Sequence, residues 1–254
     1  SLKQNNLLAV FPYGCPFDLI GISENFESVI IDAASSFGNT DLNMQNAFEK
    51  ADAIVFSLHA TKALGIGEGG LVFFKNKIYA DKFRRLINFG FNENKDILEG
   101  GMNGKMCEVL AAIGLEKLHN IKSFLKKRKE LVLFYLKYLE DLKEINFYTP
   151  IKNHIYHVWQ FIPVVLKING GIVERDQIRE VMELEFGIKT GIYYDPVHYR
   201  SSIGTQKKLS ETENIGGTVI SLPIYNDMTE KDIKYIIESL NDSVRKVRIE
   251  NLNN

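Results

Sequence analysis

Apolar and polar positions alternate in short blocks along the first hundred residues. Leu7–Phe11 is an apolar run that stops at the Pro12–Gly14 turn and reads as a short buried strand. Ser28–Ile31, Ala53–Leu58 and Leu71–Phe74 read the same way. Tyr79–Asn88 switches to helical spacing, with Phe83, Leu86 and Ile87 on one face. Residues 89–105 are rich in Gly and Asn and predict a long loop, a length that in compact domains usually serves function. Helical spacing returns from Met106 to Leu142, with a break near His119-Asn120 where the register shifts. A strand is predicted over Val158–Leu166, with Pro163 near its end, and an amphipathic helix over Ile172–Phe186, stopped by Gly187. Val219–Leu222 is a strand, and Thr229 opens the last helix with Asp232 three residues on, an approximate capping box.

Short strands alternating with helices predict an α/β domain with a mainly parallel sheet over residues 1–125. The pattern after it predicts a smaller α+β domain over 126–254, including the connecting helix. Trp159 and the aromatics around it are expected to pack in that smaller domain. The basic run Lys126-Lys-Arg-Lys129 reads as a solvated helix face.

Composition narrows the function classes. A formal charge of −1 over 254 residues gives no electrostatic reason to expect nucleic acid or an acidic membrane as a partner. The two cysteines, Cys15 and Cys107, form neither a disulfide framework nor a zinc pattern, which fits a reduced, cytoplasmic setting. No apolar stretch is long enough to span a bilayer, and the opening residues lack the apolar core of a signal peptide. His119, His154 and His157 have no partners at metal-ligand spacing, so core or surface roles are expected of them.

The chemistry concentrates in Ser57–Gly70, SLHATKALGIGEGG. Lys62 lies between the strand Ala53–Leu58 and the glycines Gly65, Gly67, Gly69 and Gly70, and an upstream strand ends in Asp32. This is the layout that a pyridoxal 5'-phosphate (PLP) enzyme needs. A lysine forms the Schiff base with the cofactor aldehyde, and a carboxylate holds a proton on the pyridine nitrogen. The glycines do not end in Gly-Lys-Ser/Thr, so a nucleoside-triphosphate loop is not indicated; they read as a close turn of the chain past the cofactor.

Five stretches in order resemble the sugar aminotransferase family named after DegT, DnrJ, EryC1 and StrS. They are Ile31-Asp32-Ala33-Ala34, Ser57–Gly70, Gly101–Glu108 followed by Ala111–Leu115, Tyr194–His198, and Leu222-Pro-Ile-Tyr225. The resemblance implies the PLP-dependent transferase fold of the aspartate aminotransferase type. It implies transfer of an amino group from glutamate to a nucleotide-linked keto sugar, in the synthesis of surface polysaccharide or glycoconjugate. Carried over by position, Lys62 is the Schiff-base lysine and proton carrier, and Asp32 the partner of the pyridinium nitrogen. Ser57 faces the cofactor phosphate. Asn103 reaches the phosphate of the other subunit's cofactor, which implies a homodimer. Lys105, His198 and His59 are the candidate substrate-side residues, although His59 reads equally as a turn residue.

Three features depart from the family pattern. Ser35 stands near the cofactor ring oxygen, where Gln or His is common. Phe11-Pro12 replace a histidine. The resemblance also finds no counterpart for the family's N-terminal segment, which cradles the phosphate; the expectation is a large domain without its first elements, weak PLP binding and poor transamination. Two rival readings follow: a catalytically impaired remnant, and a sugar dehydratase of the same family that works without a Schiff-base lysine.

Overall fold

The computed structural model describes residues 4–142, 147–153, 157–199 and 208–252. The chain forms two compact units. The first comprises residues 1–125 with Tyr156–Gln160, and the second comprises Lys126–Ile155 with Phe161–Asn254.

In the first unit, strands β1 (Gln4–Val10), β2 (Phe26–Asp32), β3 (Ala53–Ser57) and β4 (Gly70–Phe74) form one sheet in that order. The β1–β2 and β2–β3 pairs are parallel, and β3–β4 is antiparallel. Helix α1 (Leu42–Lys50) makes the parallel crossover from β2 to β3. Asp41 caps it, with Oδ1 accepting from Met44 N at 3.0 Å. The α1 residues Met44 and Ala47 join Val29, Ile31, Ile54 and Phe56 in one core cluster. The opposite face of the sheet is open: Leu8, Val10, Ile30 and Val55 are all exposed. Helix α2 spans Lys77–Leu86 and α3 spans Glu108–His119.

Helix α4 (Ile121–Glu140) begins at the break expected near His119-Asn120 and carries the chain into the second unit. There β5 (Phe147–Tyr148), β6 (Ile162–Leu166) and β7 (Val219–Leu222) make an antiparallel sheet, in the order β5-β6-β7. Helices α5 (Gly171–Phe186), α6 (Ser210–Thr218) and α7 (Glu230–Leu252) complete the unit. Gly187 ends α5 in the left-handed conformation, φ +68°, which a glycine adopts without a Cβ penalty. Thr229 N donates to Asp232 Oδ2 at 2.7 Å, so the cap of α7 forms as its sequence predicts.

Three expectations need correction. The strand predicted over Val158–Leu166 starts only at Ile162. Residues 157–160 pack in the first unit instead, and Trp159, fully buried, goes with them rather than with the smaller domain. The basic run on α4 is not uniformly solvated either. Arg128 is buried, donates to Asn226 Oδ1 at 3.2 Å and Ile224 O at 3.3 Å, and its burial lowers its pKa to about 10. Helices α1 and α6 and the two-residue β5 have no counterpart in the sequence prediction.

Candidate active site

Asp32 ends β2 and is its last residue paired to both neighbouring strands. Val10, Asp32 and Val55 stand side by side across β1, β2 and β3. Asp32 Oδ1 accepts from Ala34 N at 3.0 Å, so the strand end itself orients the carboxylate. Ser57, two residues beyond Val55, shares its face. Leu8, Asp32, Val55, Ser57, Gly69 and Gly70 line a cavity of about 430 Å³.

The chain between β3 and β4 folds back on itself. Leu58 N donates to Gly69 O at 2.9 Å, Ala60 N to Gly67 O at 2.7 Å and Ile66 N to Leu58 O at 2.9 Å. Gly67 (φ +111°) and Gly69 (φ +153°) adopt backbone conformations that L side chains rarely reach. Leu58, Leu64 and Ile66 form a small core of their own, packed by Leu110 of α3. Lys117 of α3 donates to Gly65 O. Two tight turns, Lys62 N to His59 O at 2.8 Å and Gly65 N to Lys62 O at 2.9 Å, then set Lys62 at the crest of a well-tied loop.

Lys62 is half-buried. Its Nζ donates to Ser35 Oγ at 3.0 Å and to Gln160 Oε1 at 2.9 Å. Ser35 Oγ in turn donates to Gln160 Oε1 at 2.5 Å. Burial pushes the Lys62 pKa down, and the charge of Asp32 opposes that shift. The amine therefore senses Asp32 while touching neutral oxygens, an arrangement suited to a lysine that must lose its proton to react.

The other expected site residues fall into separate groups. His59 is a turn residue in its contacts: Nδ1 pairs with Thr61 Oγ1 at 2.9 Å and Nε2 lies 3.6 Å from Glu68. Ser57 Oγ accepts from His59 N at 3.2 Å. Asn103 and Lys105 sit on the exposed 89–105 loop and bond to each other, Lys105 Nζ to Asn103 Oδ1 at 2.6 Å. His198 belongs to the second unit, with Nε2 3.1 Å from Glu213 Oε1. His154 lies outside the described residues.

Gln160, hidden within an apolar run, shows its place beside Lys62 only through its partners. His157, expected in the core or at the surface, is buried between Cys15 (Nδ1 to Sγ, 3.1 Å) and Asp41 (Nε2 to Oδ2, 3.2 Å). Burial, and then the charge of Asp41, push the Cys15 thiol up to about 12, so it is a poor thiolate. Asp41 also caps helix α1. Among the described residues no group of three or more His, Cys, Asp or Glu side chains could hold a metal, and no helix is long and apolar enough to cross a membrane.

The chain is similar in sequence and fold to known proteins. The chain is 28% identical over 244 residues to the dTDP-4-amino-4,6-dideoxy-D-glucose transaminase of Shigella dysenteriae, covering 93% of this chain and 65% of that one. Its fold matches the crystal structure of a putative PLP-dependent aminotransferase from Bacillus cereus with a TM-score of 0.75 and 27% identity, over 92% of this chain and 64% of that one. It matches DesI, solved in the presence of its TDP-sugar product, with a TM-score of 0.80 and 26% identity, over 98% of this chain and 65% of that one. In each case the chain spans somewhat under two thirds of the relative's length. The model of the DegT/DnrJ/EryC1/StrS aminotransferase family matches residues 18–241, most of the sequence, and the chain belongs to that family.

Proposed function

We propose that this chain carries the lysine half of a PLP-dependent aminotransferase site that acts on a nucleotide-linked keto sugar. The observation that carries the reading is the setting of Lys62: a half-buried amine of lowered pKa, held by neutral oxygens, within reach of the Asp32 charge. The donor set suits the cofactor, with a primary amine, a carboxylate at a strand end and the Ser57 hydroxyl on the same sheet face as that carboxylate. When bound, PLP supplies an aldehyde that takes up an amino group and a ring that draws off the electron pair left on carbon. Lys62 would hold the cofactor through Nζ at its aldehyde and would carry a proton to and from the substrate carbon. Asp32 would keep a proton at the ring nitrogen. Ser57 Oγ would donate to a phosphate oxygen, a charge-assisted bond.

The amino donor is proposed to be glutamate, and the product a building block for surface polysaccharide or glycoconjugate. Support comes from the names of relatives, which include the GDP-perosamine synthase of Escherichia coli and the spore coat polysaccharide biosynthesis protein SpsC of Bacillus subtilis. Asn103 and Lys105, on an exposed loop, fit a role at a neighbouring subunit's site in a homodimer. Lys62 argues against the dehydratase reading, which has no use for a Schiff-base lysine. The test is a glutamate half-reaction on the PLP-loaded protein, followed through the visible absorption band, with Lys62→Ala as the blank. Loss of the band on adding glutamate, seen only with Lys62 present, is the expected result. A band indifferent to glutamate refutes the proposal.

A further inference from the structure

The segment ending at Gln160 is tied into the first unit at every residue described. His157, Val158, Trp159 and Gln160 are all buried. His157 bridges Cys15 and Asp41. Val158 N donates to Asn39 Oδ1 at 2.6 Å, and Asn39 Nδ2 donates to Gly14 O at 2.5 Å. At the end of this anchored stretch, the carboxamide of Gln160 has its orientation fixed from both sides. Its Nε2 donates to Thr61 Oγ1 at 3.0 Å, so Oε1 must face Lys62 Nζ and the Ser35 hydroxyl. Turning the amide over would set its N–H groups against those of Lys62.

We propose that Gln160 is a positioning residue for Lys62: its carboxamide, locked by Thr61 and by the anchored segment, holds Nζ at hydrogen-bond distance through an uncharged acceptor. The inference rests on Lys62 being the reactive amine and names the group that sets its place and its proton affinity. A glutamate would have the same shape, yet its charge at 2.9 Å would favour the ammonium form and undo the effect of burial. An apolar side chain would remove the acceptor that the ammonium form prefers. Glutamine lies between, giving direction without charge. The other groups near the amine fit this account. Asp32 on β2 acts as a charge on Lys62. Ser35 and Thr61 are neutral. His59 is engaged with Thr61 and Glu68, and His157 with Cys15 and Asp41.

The test uses the full chain without cofactor or substrate. The rate at which Lys62 is reductively methylated is followed by peptide mass spectrometry across pH, in the native protein, Gln160→Glu and Gln160→Met. The native midpoint is expected below that of an ordinary lysine. In Gln160→Glu it moves up by about one pH unit or more, so labelling on the low-pH side of the midpoint falls about tenfold. In Gln160→Met it moves down and labelling there rises severalfold. Circular dichroism confirms that each variant is folded; if the glutamate variant is not, the methionine variant decides alone. Midpoints that coincide with the native one overturn the proposal. Because no cofactor enters, this outcome is separate from that of the functional reading, which fails if PLP gives no Lys62-dependent band.

Discussion

Lys62 and Lys105 are the two lysines the sequence marks for chemistry, and their surroundings are opposite. Lys62 is half-buried and touches Ser35 and Gln160, the latter 98 residues away in sequence. Lys105 is exposed, bonds to Asn103 two residues away and lies over the Phe89 ring, 4.6 Å from its centroid. One amine is gripped by tertiary structure that lowers its proton affinity. The other belongs to a local cluster within a single loop. A lysine becomes a nucleophile by being desolvated among neutral partners, whereas a lysine that greets a charged substrate does better in water with its charge intact.

The contrast can be broken in four ways, which differ in size. Lys62→Ala should reduce amino transfer by about a thousandfold or more and remove the visible band of the PLP-loaded protein, since the proposed nucleophile and proton carrier go together. A variant that keeps the band would mean that another amine does this work. Asp32→Asn should cost about a hundred- to a thousandfold in the glutamate half-reaction. It should also lower the Lys62 midpoint further, because the charge that raises it is gone. An upward move would show that Asp32 does not act on Lys62 as described. Lys105→Ala should leave the visible band and the glutamate half-reaction intact while raising the KM for the nucleotide sugar about ten- to a hundredfold, the size of one charge-assisted hydrogen bond of about 1.5–3 kcal/mol. An unchanged KM would make Lys105 a bystander. Asp41→Ala removes the α1 cap and the partner of His157. Thermal unfolding should shift by about 2–4 °C, near 1 kcal/mol, with slightly faster labelling of Lys62 as the Gln160 segment loosens.

The same contrast explains what could be read from sequence. Strands β2, β3, β4 and β7 are short apolar runs bounded by turn residues, and each lies within a residue or two of its predicted place. The helix break near His119-Asn120 and the cap at Gly187 are local events, and local chemistry announces them. Helix α1 is only nine residues long and rich in Asn and Gln, too short for its period to stand out, although Asp41 marks its start. In the site, Asp32 and Lys62 are legible because one ends a strand and the other lies in the turn after one, while Ser57 is legible only through the family resemblance. Gln160 is not. It interrupts an apolar run that reads as strand, and nothing within that run points to Ser35 or Thr61. The misplacement of Trp159 has the same origin, because burial alone does not say in which unit a residue is buried.

The 98-residue separation between Lys62 and Gln160 also has a meaning in time. A ribosome adding about 5–20 residues per second needs roughly 5–20 s to go from one to the other. For that interval Lys62 is in the nascent chain without the carboxamide that bonds to it in the folded protein. Closing so long a loop carries an entropic cost that local contacts do not face. The lysine is thus made first and its carboxamide partner last, so the Lys62–Gln160 bond waits on the chain that carries Gln160.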